Sequence, residues 1–96
     1  MKILIMKVTL RACWVHSLKE KRMVVKSITQ KLINKFNISV AEVDKQDIHQ
    51  IIVIGIAGIC GTSPQVDSTM ENIIRFIENN TDAEIIDIHR EDIIDL

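Results

Sequence analysis

Residues 2–13 alternate strictly. Leu4, Met6, Val8, Leu10 and Ala12 fall on one side and Ile3, Ile5, Lys7, Thr9, Arg11 and Cys13 on the other. A period of two with one wholly apolar side predicts a strand with one well-buried face. The period then changes. Leu18, Val25, Ile28, Leu32 and Phe36 recur at helical spacing, and Ser17-Leu-Lys-Glu20 has the form of a capping box, so a helix begins after Ser17. Asn37 is placed to stop it in a left-handed conformation. A second strand is expected from Ile38 to Asp44, with Ile38, Val40 and Glu42 on one face and Ser39, Ala41 and Val43 on the other; Lys45–His49 is a polar turn. Gln50 to Cys60 is almost wholly apolar and β-branched, as in a strand at the centre of its sheet, and Gly55 and Gly58 within it suggest a bulge or a close approach. Ser63 as cap and Pro64 as first helical residue open a second helix, with Val66, Met70, Ile73 and Ile77 as its stripe and Ile74 beside it. Asn79–Asp82 closes it. Ala83 to Glu91 forms the last strand, with Ile86 and Ile88 on one face, and Asp92–Leu96 is a tail.

The order β-α-β-β-α-β predicts an α+β, ferredoxin-like fold: a four-stranded antiparallel sheet in the order 4-1-3-2 with both helices on one face. The other face is then open, with Ile3, Ile5 and Cys13 among Lys7, Thr9 and Arg11. Apolar surface left in water invites a second chain, so a homodimer through that face or an edge strand is expected.

Composition narrows the class. Ninety-six residues make one domain, 1–96, and with 47% hydrophobic but only 3% aromatic residues the core must be aliphatic. The first ten residues are interrupted by Lys2 and Lys7 and lack a signal-peptide cleavage site, and the run from Ile51 to Ile59 is too short to span a bilayer. Two cysteines without CxxC spacing suit a reducing compartment, so a cytoplasmic protein that does not enter the membrane is expected.

The net charge of −1 conceals two opposed halves. Residues 1–35 hold nine Lys/Arg against Glu20 alone, for +8, and residues 36–96 hold three against twelve Asp/Glu, for −9. Half of the twelve cations lie between Lys19 and Lys35. Lys19, Lys21, Arg22 and Lys26 crowd the start of the first helix, where the helix dipole disfavours cations. Cations beside free backbone N–H groups make a phosphate-binding corner. The plainer alternatives are a solvated helix face and pairing with the acidic half of the chain.

A second cluster, Glu42, Asp44, Gln46 and Asp47 with His49, has carboxylates two apart on a strand and so on one face. Its spacing matches no metal motif, and a backbone-bonding turn explains the same residues. His16, His49 and His89 are scattered, Ser17 and Ser63 are explained as caps, and no catalytic triad is oriented. Cys13 and Cys60 end antiparallel neighbours, at opposite ends of the sheet, too far apart for a disulfide. Gly58-Ile-Cys-Gly61-Thr-Ser lacks the Lys of a phosphate loop. The sheet also lacks the aromatic pair on which RNA-recognition sheets stack bases, so nucleic acid would be held on the helical side through its backbone.

Ser17-Leu-Lys-Glu-Lys-Arg22, and Asn37-Ile-Ser-Val-Ala-Glu-Val-Asp44 followed by Gln46-Asp47, closely resemble the YlxP-like family of small bacterial proteins over nearly the whole chain. The resemblance implies a ferredoxin-like fold, no enzymatic activity and no cofactor. Family members are commonly encoded beside transcription-termination, translation-initiation and ribosome-binding factors, which implies a role near ribosome maturation. The chain departs from the family pattern at Lys45, where a His is usual, at His49, where an aromatic is usual, and at Ile51, where an Arg is usual. The expectation is a non-enzymatic protein that binds phosphates of ribosomal RNA or a pre-ribosomal particle through Lys19, Lys21, Arg22 and Lys26. The alternative is a homo-oligomeric protein-interaction or small-ligand module using the open sheet face. An enzyme centred on Glu42, Asp44, Asp47 and His49 is a third, more distant option.

Overall fold

The computed structural model describes residues 1–91; the expected tail at Asp92–Leu96 lies outside them. The elements run β1 (Lys2–Arg11), α1 (Leu18–Lys35), β2 (Ile38–Asp44), β3 (Ile51–Cys60), α2 (Ser63–Asn80) and β4 (Glu84–Glu91). The sheet order is β2-β3-β1-β4, with every neighbouring pair antiparallel. This is the expected order read from the other edge, and it fits a ferredoxin-like α+β fold.

The alternation of β1 decides which face is covered. Leu4, Met6, Val8, Leu10 and Ala12 are fully buried and join Ile28 and Leu32 of α1 and Met70, Ile73 and Ile77 of α2 in one cluster. Both helices therefore pack on the even-numbered side of β1. Each Leu or Ile taken out of water there contributes roughly 1.5–3 kcal/mol. Phe36 and Phe76 meet edge to face at 5.6 Å, joining the last turn of α1 to α2.

The glycines of β3 serve close approach. The β1–β3 register is unbroken from Lys2↔Cys60 to Arg11↔Ile51. A Cβ at Gly58 would lie 2.9 Å from Ile38 Cγ2, and one at Gly55 would lie 2.8 Å from Val43 Cγ1. The irregularities fall in the edge strands instead. β2 slips between Glu42, opposite Ile54, and Asp44, opposite Val53. β4 slips so that Ile85 faces Leu10 while Asp87 faces Thr9. Ile86 is thereby the extra residue, and Ile85, not Ile86, packs against the core.

Three local expectations are corrected. Asn37 is not left-handed: α1 ends on Phe36 in an extended conformation (φ −122°), and among the described residues it is Lys45 that is left-handed (φ 50°). The cap of α2 is Thr62, not Ser63; Thr62 Oγ1 accepts from Gln65 N–H at 3.3 Å, while Gln65 Oε1 accepts from Gly61 N–H at 2.6 Å. β1 ends at Arg11, so Ala12 and Cys13 begin the following loop. Cys13 is exposed and Cys60 is buried, and neither is in a disulfide.

Candidate nucleic-acid interface

The loop before α1 is held by one side chain. Gln50 Nε2 donates to the carbonyls of Cys13 and Val15, both at 3.1 Å, and the Gln50 carbonyl accepts from Ala12 N–H at 2.8 Å. Ser17 then turns the chain into the helix, its Oγ accepting from Glu20 N–H at 3.1 Å. Cap and loop thus fix the approach to the first basic residue of α1, Lys19.

Helical geometry divides the four basic candidates. At 3.6 residues per turn, Lys19, Arg22 and Lys26 fall within about 60° of arc, and Lys21 lies on the opposite side. The first three are exposed, and none has an ion-pair partner among the described residues. They share the outer side of α1 with exposed Met23 and Ile33.

Lys21 does not belong to that surface, which corrects its assignment as a phosphate contact. It is 1% exposed. Its ammonium donates to the Lys45 carbonyl at 2.6 Å and lies 2.9 Å from Glu42 Oε2. The aligned hydrogen bond goes to the carbonyl. Glu42 Oε2, itself buried, sits against the charge without hydrogen-bond geometry. Pairing with the acidic half of the chain, weighed above for the whole cluster, thus holds for Lys21. A left-handed lysine costs roughly 1–2 kcal/mol, and the Lys45 turn is held by Lys21 Nζ and by Ile48 N–H, which donates to the same carbonyl at 3.0 Å. Lys21 acts as a clamp between α1, the end of β2 and the turn that follows.

The same geometry separates the acidic residues. Glu42 faces the helices beside Lys21. The register slip puts Asp44 opposite Val53, in the row of the open face, so the two carboxylates are not neighbours on one face as the alternation implied. Asp44 Oδ1 accepts from Lys45 N–H at 2.8 Å, and Gln46 Nε2 reaches the Glu42 carbonyl at 3.4 Å. These bonds shape a turn, and Asp47 and His49 are exposed on it. Among the described residues no three His, Cys, Asp or Glu side chains are placed to share a metal ion. No helix of the described residues is long and apolar enough to cross a membrane.

A second surface lies on the opposite side of the molecule. The open sheet face has a shallow depression of about 580 Å³. Ser39, Ala41, Gly55 and Ala57 line it with little bulk, while Ile5 and Val43 rise beside them and Lys7 and His89 flank it. Ile5 is 41% and Ile59 71% exposed on this face.

Residue type alone does not reveal two placements around α1, the bracing of its leading loop by Gln50 and the inward turn of Lys21. Gln50 gives no local signal, because its partners are 35 and 37 residues away. The inward turn of Lys21 did have one: positions 18, 21, 25, 28 and 32 keep helical spacing, with a lysine in the second place.

A family model described as "Protein of unknown function (DUF503)" matches residues 3–90. The chain is also 37% identical over 68 residues to the uncharacterized protein YlxP of Bacillus subtilis (strain 168), an alignment that covers 71% of this chain and 74% of that protein.

Proposed function

Because the chain belongs to the DUF503 family, whose function is unknown, we propose a role from its surfaces: a non-enzymatic, cytoplasmic, RNA-associated protein. It grips phosphates of ribosomal RNA or of a pre-ribosomal particle through Lys19, Arg22 and Lys26. The observation that carries this is the exposed stripe of three cations at the start of α1, without carboxylate partners among the described residues. Such contacts hold a strand without reading its sequence. Three phosphate contacts correspond to a slope of log K against log salt of roughly −2 on single-stranded RNA.

Lys19→Glu combined with Arg22→Glu is the informative variant, since both side chains are exposed. Fluorescence anisotropy with labelled ribosomal RNA fragments at two salt concentrations should show salt-sensitive binding by the native protein and its loss in the variant, with an unchanged circular dichroism spectrum. Equal affinity of the two proteins ends the proposal. Lys21→Glu would test stability and not binding, because that side chain is buried.

A second reading, a homo-oligomeric interaction or small-ligand module, is supported by the 580 Å³ apolar depression on the open face. The two are compatible: paired sheet faces would leave a basic stripe on each outer side, and two linked stripes gain in avidity.

A further inference from the structure

Trp14 is the chain's single tryptophan, and it stands in the loop that leads into the basic helix. It is 42% exposed. With Met23 and Ser27 of α1 and Asn80, Thr81 and Asp82 at the end of α2, it lines a cleft of about 280 Å³. That is several times the ~30 Å³ share of one water in the liquid, which by volume is room enough for a single planar ring. The loop is already ordered, because Gln50 holds the carbonyls on either side of Trp14. The indole is therefore presented at little further entropic cost.

The surroundings are of two kinds. On α1, Lys19 and Lys26 stand four residues before and three after Met23, which makes them its surface neighbours. Lys31 reaches the rim on the other side, its ammonium donating to the Asn80 carbonyl at 3.3 Å. Cations thus flank an aromatic wall, the combination by which proteins hold single-stranded nucleic acid. The end of α2 supplies hydrogen-bonding groups. The amide nitrogen of Asn80 is committed to the Phe76 carbonyl at 2.8 Å, which leaves its oxygen, together with the Asp82 carboxylate, to accept from a base's N–H groups.

We infer that this cleft is a nucleobase site: an unpaired base of single-stranded RNA stacks on Trp14 while the adjoining phosphates run along Lys19, Arg22 and Lys26. The inference rests on the phosphate-binding reading above and narrows it from polyanions in general to strands with unstacked bases. Acceptors at the cleft favour a base with an exocyclic amine.

Trp14 reports on its own site, since all tryptophan emission comes from it. The native protein is titrated with a short oligoadenylate, with inorganic polyphosphate and with duplex RNA. Oligoadenylate should quench and shift the emission. Polyphosphate and duplex RNA should bind with similar salt sensitivity and leave it unchanged. Trp14→Ala should weaken oligoadenylate binding about tenfold or more and leave polyphosphate binding as it was; Trp14→Phe should keep most of the affinity. Stripe-dependent oligoadenylate binding with unaltered emission, and equal affinity in Trp14→Ala, overturns the base site and leaves the phosphate reading standing. Failure of all three probes to bind overturns both.

Discussion

Replacing Lys21 by Met isolates the buried clamp. Methionine keeps most of the aliphatic stem and deletes the charge. Glu42 is then left beside the core with a side chain only 19% exposed and no counter-ion, and the Lys45 carbonyl loses its donor at 2.6 Å. Breaking a buried pair from one side costs about 3–5 kcal/mol, because the remaining charge stays desolvated. Glu42's partial exposure puts the expected loss at the lower end, about 3 kcal/mol. For a domain of this size each kcal/mol moves Tm by about 4–8 °C, so Lys21→Met should melt about 12–24 °C lower. Urea denaturation followed by circular dichroism measures the free energy directly. Adding Glu42→Met should return most of the loss, since both charges are then gone and the site is apolar. RNA binding measured below the melting transition should be unchanged. If Lys21→Met lies within about 1 kcal/mol of the native protein, Lys21 and Glu42 behave as a surface pair and Lys21 is not a clamp. A double variant no more stable than the single one would refute it equally.

Gly58→Ala should cost about 1–3 kcal/mol, since its Cβ would come within 2.9 Å of Ile38 Cγ2; adding Ile38→Ala should recover part of the loss in the same denaturation assay. Thr62→Ala should cost about 1 kcal/mol by removing the cap of α2, and Ser63→Ala should be near neutral, which a pair of thermal melts separates. Gln50→Leu should cost about 1–2 kcal/mol by leaving the carbonyls of Cys13 and Val15 without their donor; faster amide hydrogen exchange confined to residues 12–17 is the accompanying sign. Ile5→Asp should convert a homodimer into a monomer in sedimentation velocity, and a native protein that sediments as a monomer at micromolar concentration rules the sheet-face dimer out.

Much of the architecture could be read from local pattern. The even residues of β1 were identified as the buried row because period-two alternation needs no knowledge of the partner strand. The central place of β3 followed from its unbroken apolar run. Ser17 was recognisable as a cap from its neighbours alone. The misreadings have a common form. Ser63 and Thr62 are both competent caps, and the choice depends on where Gln65 folds back to Gly61. Ile86 and Ile88 share a period and so, by alternation, a face, but a register slip against β1 sets Ile88 opposite Val8 and Ile85 opposite Leu10 and leaves Ile86 as the extra residue. Lys21 was grouped with Lys19 and Arg22 by charge, although its spacing placed it with Val25, Ile28 and Leu32.

Periodicity and capping are properties of a few consecutive residues, so the amino-acid order alone specified the six elements, their sequence and the water-avoiding side of β1 and of both helices, while the inner faces of the edge strands followed from their register slips. The destination of each charge was a different matter. Lys21 can lie in the interior because a carboxylate 21 positions further on and the carbonyl of a left-handed turn converge on its ammonium, and they meet it only once α1 has settled over the end of β2. Desolvation of an ion depends on what surrounds it in space, and no single stretch of chain carries that information.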